Sequence, residues 1–357
     1  MTSRRTLLKG TLFGSAAALL PTVASAASGG PVLRLPAPTG PHPVGVRKVH
    51  LTDPDRTDPW VGGVRELMLT VLYPARSVRG FSRAPQLTPG EAREFTGLAP
   101  LVHRGLPEPG TVDWGAVLTH GYEGAPPLPG RRPVLVYSPG GGDSRTLGTT
   151  LAEDLASHGR VVVLVDHPGD ASQVELPTGM RTTVLMGPPD PATFRTMVDT
   201  RIADLRLVLD RLGDLPLAPF ADPRRIGFYG HSAGGTAAVY AARRDRRVGA
   251  VANLEGYLDL YPAPVASDRP LLLFRTDGFE GAARIESSWA GLPGHRVLLA
   301  RANHWAFTDY GSLVARLRSA GLVTATARTA LIGTGDPVAT LAEVRARVGA
   351  FFAHHLM

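Results

Sequence analysis

A serine held between two glycines, Gly230-His231-Ser232-Ala233-Gly234, is the part of this 357-residue chain whose residue types and spacing most directly imply chemistry. It lies in the run Arg225–Gly235, where a short apolar stretch meets a glycine and an alanine-rich segment from Thr236 to Ala242 follows. That order reads as strand, sharp turn, helix, the context that a G-x-S-x-G nucleophile elbow requires. The spacing of the glycines has a steric reason. Ser232 is expected in a strained turn, with strand and helix crossing so closely that a Cβ at either flanking position would collide. A helix beginning at the serine aims its free N–H groups and positive dipole end at negative charge forming beside Oγ. In a glycine-rich chain the pentapeptide alone also fits a plain turn. The Asp222-Pro223 turn, the buried-looking strand and the prompt helix favour the nucleophile.

A serine hydroxyl at its own pKa is a weak nucleophile and needs a histidine base oriented by an acid. In this topology the chain order is serine, acid, histidine. Four histidines follow Ser232: His295, His304, His354 and His355. His295 precedes the last predicted strand, on the wrong edge of the sheet, and His354 and His355 are neighbours in the tail. His304, in Arg301-Ala302-Asn303-His304-Trp305, falls just past a strand's carboxyl end, where ligands gather in open parallel sheets, and is the expected base. Two carboxylates end strands in between, Glu255 and Asp277, and spacing leaves both open as the orienting acid.

Around these residues the chain alternates strands and helices. A strand at Val64–Tyr73 is followed by residues 75–130, which are proline-rich and predict an irregular cover with one short helix near Glu91–Phe95. Arg132–Ser138 is a buried strand. The loop Pro139-Gly140-Gly141-Gly142-Asp143-Ser144-Arg145 leads into a helix with Leu147, Leu151 and Leu155 on one face, and Val161–Val165 is the next strand. Strand, helix, strand with apolar runs is the signature of a parallel sheet. The glycine loop lacks the spacing of a nucleotide cradle, so its expected role is half of an oxyanion hole. After an irregular stretch at 171–193 come an amphipathic helix at Thr196–Leu212, the elbow, strands at Val248–Leu254 and Pro270–Phe274, and a helix near 282–290. A last strand at Arg296–Ala300 and two helical tails, 311–321 and 337–354, complete the α/β pattern.

Residues 1–26 read as a twin-arginine export signal: Arg4-Arg5, an apolar run from Thr11 to Leu20, and Ala24-Ser25-Ala26 as the cleavage site. The apolar run is too short to span a bilayer well. Residues 27–45 read as a linker and 46–357 as a single domain, secreted by the twin-arginine route. Hydrophobic content of 43% and charged content of 19% describe an ordinary globular chain with ample core. Only Lys9 and Lys48 are lysines among 38 basic residues, and the formal charge is +7. The arginines are scattered with no basic stripe and no interleaved aromatics, which argues against nucleic acid, while the positive balance is compatible with peripheral contact with lipid surfaces. There is no cysteine, which excludes disulfides, thiolate metal sites and cysteine catalysis. No metal or organic cofactor is expected.

The chain resembles the platelet-activating-factor acetylhydrolases of the α/β-hydrolase superfamily from about Leu67 to Tyr310. The segments that carry the likeness are Val134–Arg145, Asp154–Gly159, Asp166–Ser172, Gly230–Gly235, and His304 with Phe307-Thr308-Asp309-Tyr310. The resemblance implies a mostly parallel twisted sheet with helices on both faces. It places the nucleophile on Ser232, the base on His304, and the oxyanion donors on the backbone N–H groups of Gly141 and Ala233. The acid falls on Glu255, where the family normally has aspartate; Asp277 is the alternative acid. Where the family usually has a histidine before the first glycine, this chain has Pro139, and Gly141 and Ser144 replace larger apolar residues, which changes the shape of the acyl pocket. The expected activity is that of a secreted serine esterase on short acyl esters, with phospholipids carrying a short sn-2 acyl chain implied by the resemblance. A general carboxylesterase or cutinase-like polyester hydrolase, and a catalytically silent binding protein of the same fold, are the competing expectations.

Overall fold

The apolar runs are buried on both sides, as a parallel sheet covered by helices on each face demands. A computed structural model describes residues 31, 33–102, 105–185, 187, 189–261 and 269–357; the expected export signal lies outside them. Its strands are β1 (Val44–Thr57), β2 (Val64–Pro74), β3 (Arg83–Pro85), β4 (Leu118–Glu123), β5 (Arg132–Ser138), β6 (Val161–Val165), β7 (Gln173–Leu176), β8 (Gly179–Thr182), β9 (Ala221–His231), β10 (Val248–Leu254), β11 (Leu271–Thr276) and β12 (His295–Leu299). Its helices are α1 (Pro89–Val102), α2 (Thr149–Ser157), α3 (Pro191–Asp210), α4 (Ala233–Arg244), α5 (Ala282–Ser288), α6 (Tyr310–Ser319), α7 (Ala325–Ile332) and α8 (Pro337–His355).

Ten strands form one sheet in the order β12-β11-β10-β9-β5-β6-β2-β1-β4-β3, and β7 and β8 make a separate hairpin. From β6 to β12 all neighbours are parallel, while β2 joins β6 and β1 antiparallel. The period of two along each strand sends alternate side chains to opposite faces. Val134, Val136, Val163 and Phe228 pack with Ile202 and Leu205 of α3 and Ala237 and Ala241 of α4. Leu135, Tyr137, Val162 and Tyr229 pack on the other side with Leu151 and Leu155 of α2 and Val348 and Phe352 of α8. This is the mostly parallel, doubly covered α/β sheet that the sequence predicts. Because its central strands run the same way, the loops after β5, β9, β10, β11 and β12 leave from one edge.

Several elements differ from the sequence-based expectation. Residues 75–130 are less irregular than their prolines suggest: α1 spans fourteen residues and β3 and β4 extend the sheet. The start of α1 is a capping box, with Thr88 N–H donating to Glu91 Oε2 at 2.9 Å and Glu91 N–H to Thr88 Oγ1 at 3.0 Å. The sequence pattern does not announce β1 because it carries polar residues and pairs with β4 only at Val44–Val46, and Val44 and Gly45 of the expected linker already belong to it. Leu33 and Leu35, also in that linker, are buried against α1, α6 and α7. The helix expected from Thr196 begins earlier, at Pro191, under an Asp190 cap whose carboxylate accepts from Ala192 and Thr193 N–H. The Asp222-Pro223 turn is absorbed into β9, which pairs with β5 across a register shift at Pro133/Val134.

Candidate active site

Ser232 stands between β9 and α4 with φ 52° and ψ −123°, a backbone conformation that costs a non-glycine residue about 1–3 kcal/mol. The surrounding packing enforces it. A Cβ on Gly230 would lie 2.3 Å from the carbonyl of Gly234, and one on Gly234 would lie 2.0 Å from the carbonyl oxygen of Ser138. The two glycines are therefore the residues that let strand, helix and the loop after β5 meet. Ser232 N–H donates to Leu254 O at 2.8 Å, which ties the elbow to the end of β10.

Glu255 follows directly, in a left-handed conformation at φ 64°. Asn253 staples the turn: its Oδ1 accepts from Gly256 N–H at 2.7 Å and its Nδ2 donates to Gly256 O at 2.9 Å. The carboxylate is buried. Oε1 accepts from Thr276 N–H at 2.5 Å and Thr276 Oγ1 at 2.8 Å, and Oε2 lies 2.8 Å from His304 Nδ1. With an ionised carboxylate on one side, Nδ1 carries the proton and Nε2 is left as the acceptor. His304 opens a short 3-10 turn, His304–Phe307, capped by the Asn303 side chain. Its ring stacks on Phe279 at 4.0 Å and touches the His231 ring at 4.4 Å. Burial, reinforced by His231, outweighs the pull of Glu255 and holds the imidazole down at about 4, so it is neutral at ordinary pH.

Asp277, the alternative acid, is not brought to the ring. It is exposed and accepts from the backbone N–H groups of Arg301 at 2.8 Å and Ala302 at 3.1 Å, so it shapes the loop that delivers His304. His295 starts β12 at the sheet's edge and His354 and His355 end α8, all three exposed.

Gly141 lies beside Ala233: a Cβ built on it would be 3.7 Å from the Ala233 Cβ. Among the described residues neither N–H donates to another protein group, so both amides remain available where the glycine loop meets the first turn of α4. The residues expected to act together thus converge on one edge of the sheet, while a cavity of about 1210 Å³ between α2, α6 and α8 includes none of them.

Sequence reasoning missed Phe279 and His231, which frame the imidazole, and Asn253, which fixes the turn at Glu255. None of the three carries a local signal; each matters through a contact made across the fold. It also missed a buried set with the residue types of a second triad. Ser138 Oγ lies 2.9 Å from His167 Nε2, and His167 Nδ1 lies 2.8 Å from Asp204 Oδ2.

Residues 31–176 match the family model described as platelet-activating factor acetylhydrolase, isoform II. A probable 1-alkyl-2-acetylglycerophosphocholine esterase of Arthroderma benhamiae is 35% identical over 129 residues, 35% of this chain and 32% of the relative, so the match spans about a third of that relative's length. The solved structure of a ferulic acid esterase from Streptomyces cinnamoneus superposes with a TM-score of 0.75 at 36% identity, covering 91% of this chain and 94% of that one. Likeness along nearly the whole chain to a solved esterase shows that this protein belongs to the esterases of the α/β-hydrolase superfamily, with residues 31–176 similar to the platelet-activating factor acetylhydrolases.

Proposed function

We propose that the chain is a serine esterase that cleaves short acyl esters through an acyl-enzyme on Ser232. The observation that carries this reading is the 2.8 Å pairing of His304 Nδ1 with buried Glu255, on the loop edge where Ser232 is held at φ 52°. Neutral His304 takes the Ser232 proton as Oγ attacks the ester carbonyl. The Gly141 and Ala233 N–H groups receive the oxyanion, each such donor being worth on the order of 3 kcal/mol. The imidazolium then protonates the departing alcohol, and a water repeats the sequence to free the acid and Ser232. Glu255 keeps the proton on Nδ1 throughout and stabilises the imidazolium.

Phospholipids with a short sn-2 acyl chain are the substrate class favoured by the family match over 31–176 and by the acetylglycerophosphocholine esterase name of the Arthroderma relative. A second reading, a hydroxycinnamoyl ester, is favoured by the whole-chain likeness to the ferulic acid esterase and by the half-buried rings of Phe279 and Trp305 beside His304. A general carboxylesterase or cutinase-like polyester hydrolase shares the same chemistry. Release rates from acetyl, butyryl and octanoyl esters, methyl ferulate and a short-chain phosphatidylcholine separate these classes. Export by the twin-arginine route and action outside the cytoplasm belong to the proposal; among the described residues no helix is long and apolar enough to cross a membrane. Ser232→Ala is expected to abolish p-nitrophenyl acetate hydrolysis and labelling by a fluorophosphonate, and an active Ser232→Ala protein refutes the assignment.

A further inference from the structure

Asp166–Asp170 belongs to the family resemblance yet takes no part in the proposed chemistry, and most of its side chains are fully buried. Asp170 pairs with Arg201 of α3, accepting from Nε at 2.8 Å and from Nη2. The same guanidinium reaches three consecutive residues, the last of β5 and the first two of the loop after it. Nη1 donates to Ser138 Oγ at 3.3 Å and to Pro139 O, and Nη2 donates to Gly140 O at 2.9 Å. Five donors in a rigid fork make arginine suited to holding a carboxylate and two carbonyls at once.

Ser138 is held from its other side by His167 and Asp204. Burial alone would raise the Asp204 carboxyl, but Arg65, donating to it at 2.7 Å, carries it well below the usual carboxylate range. The proton therefore stays on His167 Nδ1, and Nε2 accepts from the Ser138 hydroxyl, whose oxygen is then free to accept from Arg201. Burial and the Arg201 charge keep His167 itself neutral. Ser138, His167 and Asp204 are each 0% exposed, so no ester meets them, and the set serves to fix the loop.

The consequence follows from peptide geometry. The C=O of Gly140 and the N–H of Gly141 are opposite ends of one planar trans unit and point in opposite directions. A guanidinium anchored on Gly140 O sets the direction of the Gly141 N–H, and its charge polarises that amide into a stronger donor. Gly140, Gly141 and Gly142 have no side chains to do this themselves, and glycine is conformationally permissive. We propose that Arg201 is a positioning residue for the oxyanion hole, aiming the Gly141 N–H at the oxyanion formed on the acyl carbon bound to Ser232. The proposal rests on the roles assigned above to Ser232 and Gly141.

The test compares p-nitrophenyl acetate with its thiono analogue, in which the carbonyl oxygen is sulfur and so gains less from N–H donors. In Arg201→Lys the single ammonium cannot span Asp170 and both carbonyls. Oxo-ester kcat should fall on the order of 10- to 100-fold with KM changed less than about threefold, and the oxo-to-thiono rate ratio should shrink by about tenfold. Ser232 should still be labelled by a fluorophosphonate. The Arg201→Met/Asp170→Asn double variant, which leaves no unpaired buried charge, and Ser138→Ala, which loosens the loop while keeping Arg201, cover a failure of the lysine variant to fold. They should compress the ratio in the same direction. Unchanged oxo-ester turnover, or a rate loss equal for both esters, overturns the positioning role while wild-type labelling at Ser232 keeps the esterase reading intact. Absence of wild-type labelling overturns both.

Discussion

Replacing Glu255 by glutamine changes one atom and separates two accounts of how His304 is oriented. Glu255 Oε1 faces Thr276 N–H at 2.5 Å and Oε2 faces His304 Nδ1 at 2.8 Å. An amide offers one acceptor and one donor to these two positions. Turning the NH2 toward Thr276 would set donor against donor and leave a buried backbone N–H unpaired, at about 1–3 kcal/mol. Turning it toward His304 requires only that the ring move its proton to Nε2. The second arrangement is the cheaper one, and it removes the lone pair that must receive the Ser232 proton. In triads of this type the wrong tautomer lowers kcat by about 10,000-fold, equivalent to roughly 5 kcal/mol of barrier. Glu255→Gln should therefore lose about 1,000- to 10,000-fold in kcat for p-nitrophenyl acetate, with KM little changed and the fold intact by circular dichroism. Asp277→Asn, which still offers one oxygen to the backbone N–H groups of Arg301 and Ala302, should stay within about tenfold of wild type, as loss of one hydrogen bond implies. A Glu255→Gln enzyme retaining a tenth of wild-type kcat, or a larger loss in Asp277→Asn, would falsify the assignment of the acid.

Two further outcomes follow from the geometry. The His304 imidazole, held down at about 4 by burial and the adjacent His231, is the competent neutral base above that value and is protonated below it. The acid limb of kcat/KM should accordingly fall near pH 4; a limb between pH 6 and 7 contradicts the buried, His231-flanked ring. Gly234→Ala puts a methyl 2.0 Å from a backbone oxygen that cannot swing away, and should lose about 3 kcal/mol or more in urea unfolding, the upper end for overpacking. Gly141→Ala meets only ordinary contacts at 3.5 Å and beyond and should fold normally, so equal stability of the two variants refutes the close crossing at the elbow.

What could be read from the residues in order was set by short-range stereochemistry. Gly230 and Gly234 around Ser232 announce a crossing that only glycine permits, and the apolar runs at 134–138 and 161–165 announce strands covered on both faces. His304 could be singled out because it follows the last strand, which in a parallel sheet places it on the same rim as the elbow. Periodicity failed where burial is one-sided or the chain is rich in proline: β1 carries charged residues on a half-covered strand, and α1 and β4 lie in a stretch with no clean period. The choice between Glu255 and Asp277 was equally beyond linear reading, since both end neighbouring strands. It was decided by where a turn at φ 64° and a Thr276 donor pair hold one carboxylate, while the other is taken up by two backbone amides. Arg201, Phe279 and His231 belong to the same class. Spacing along a chain determines which backbone conformations are allowed, but which charges and rings come to share a desolvated volume is decided only when distant segments are packed together.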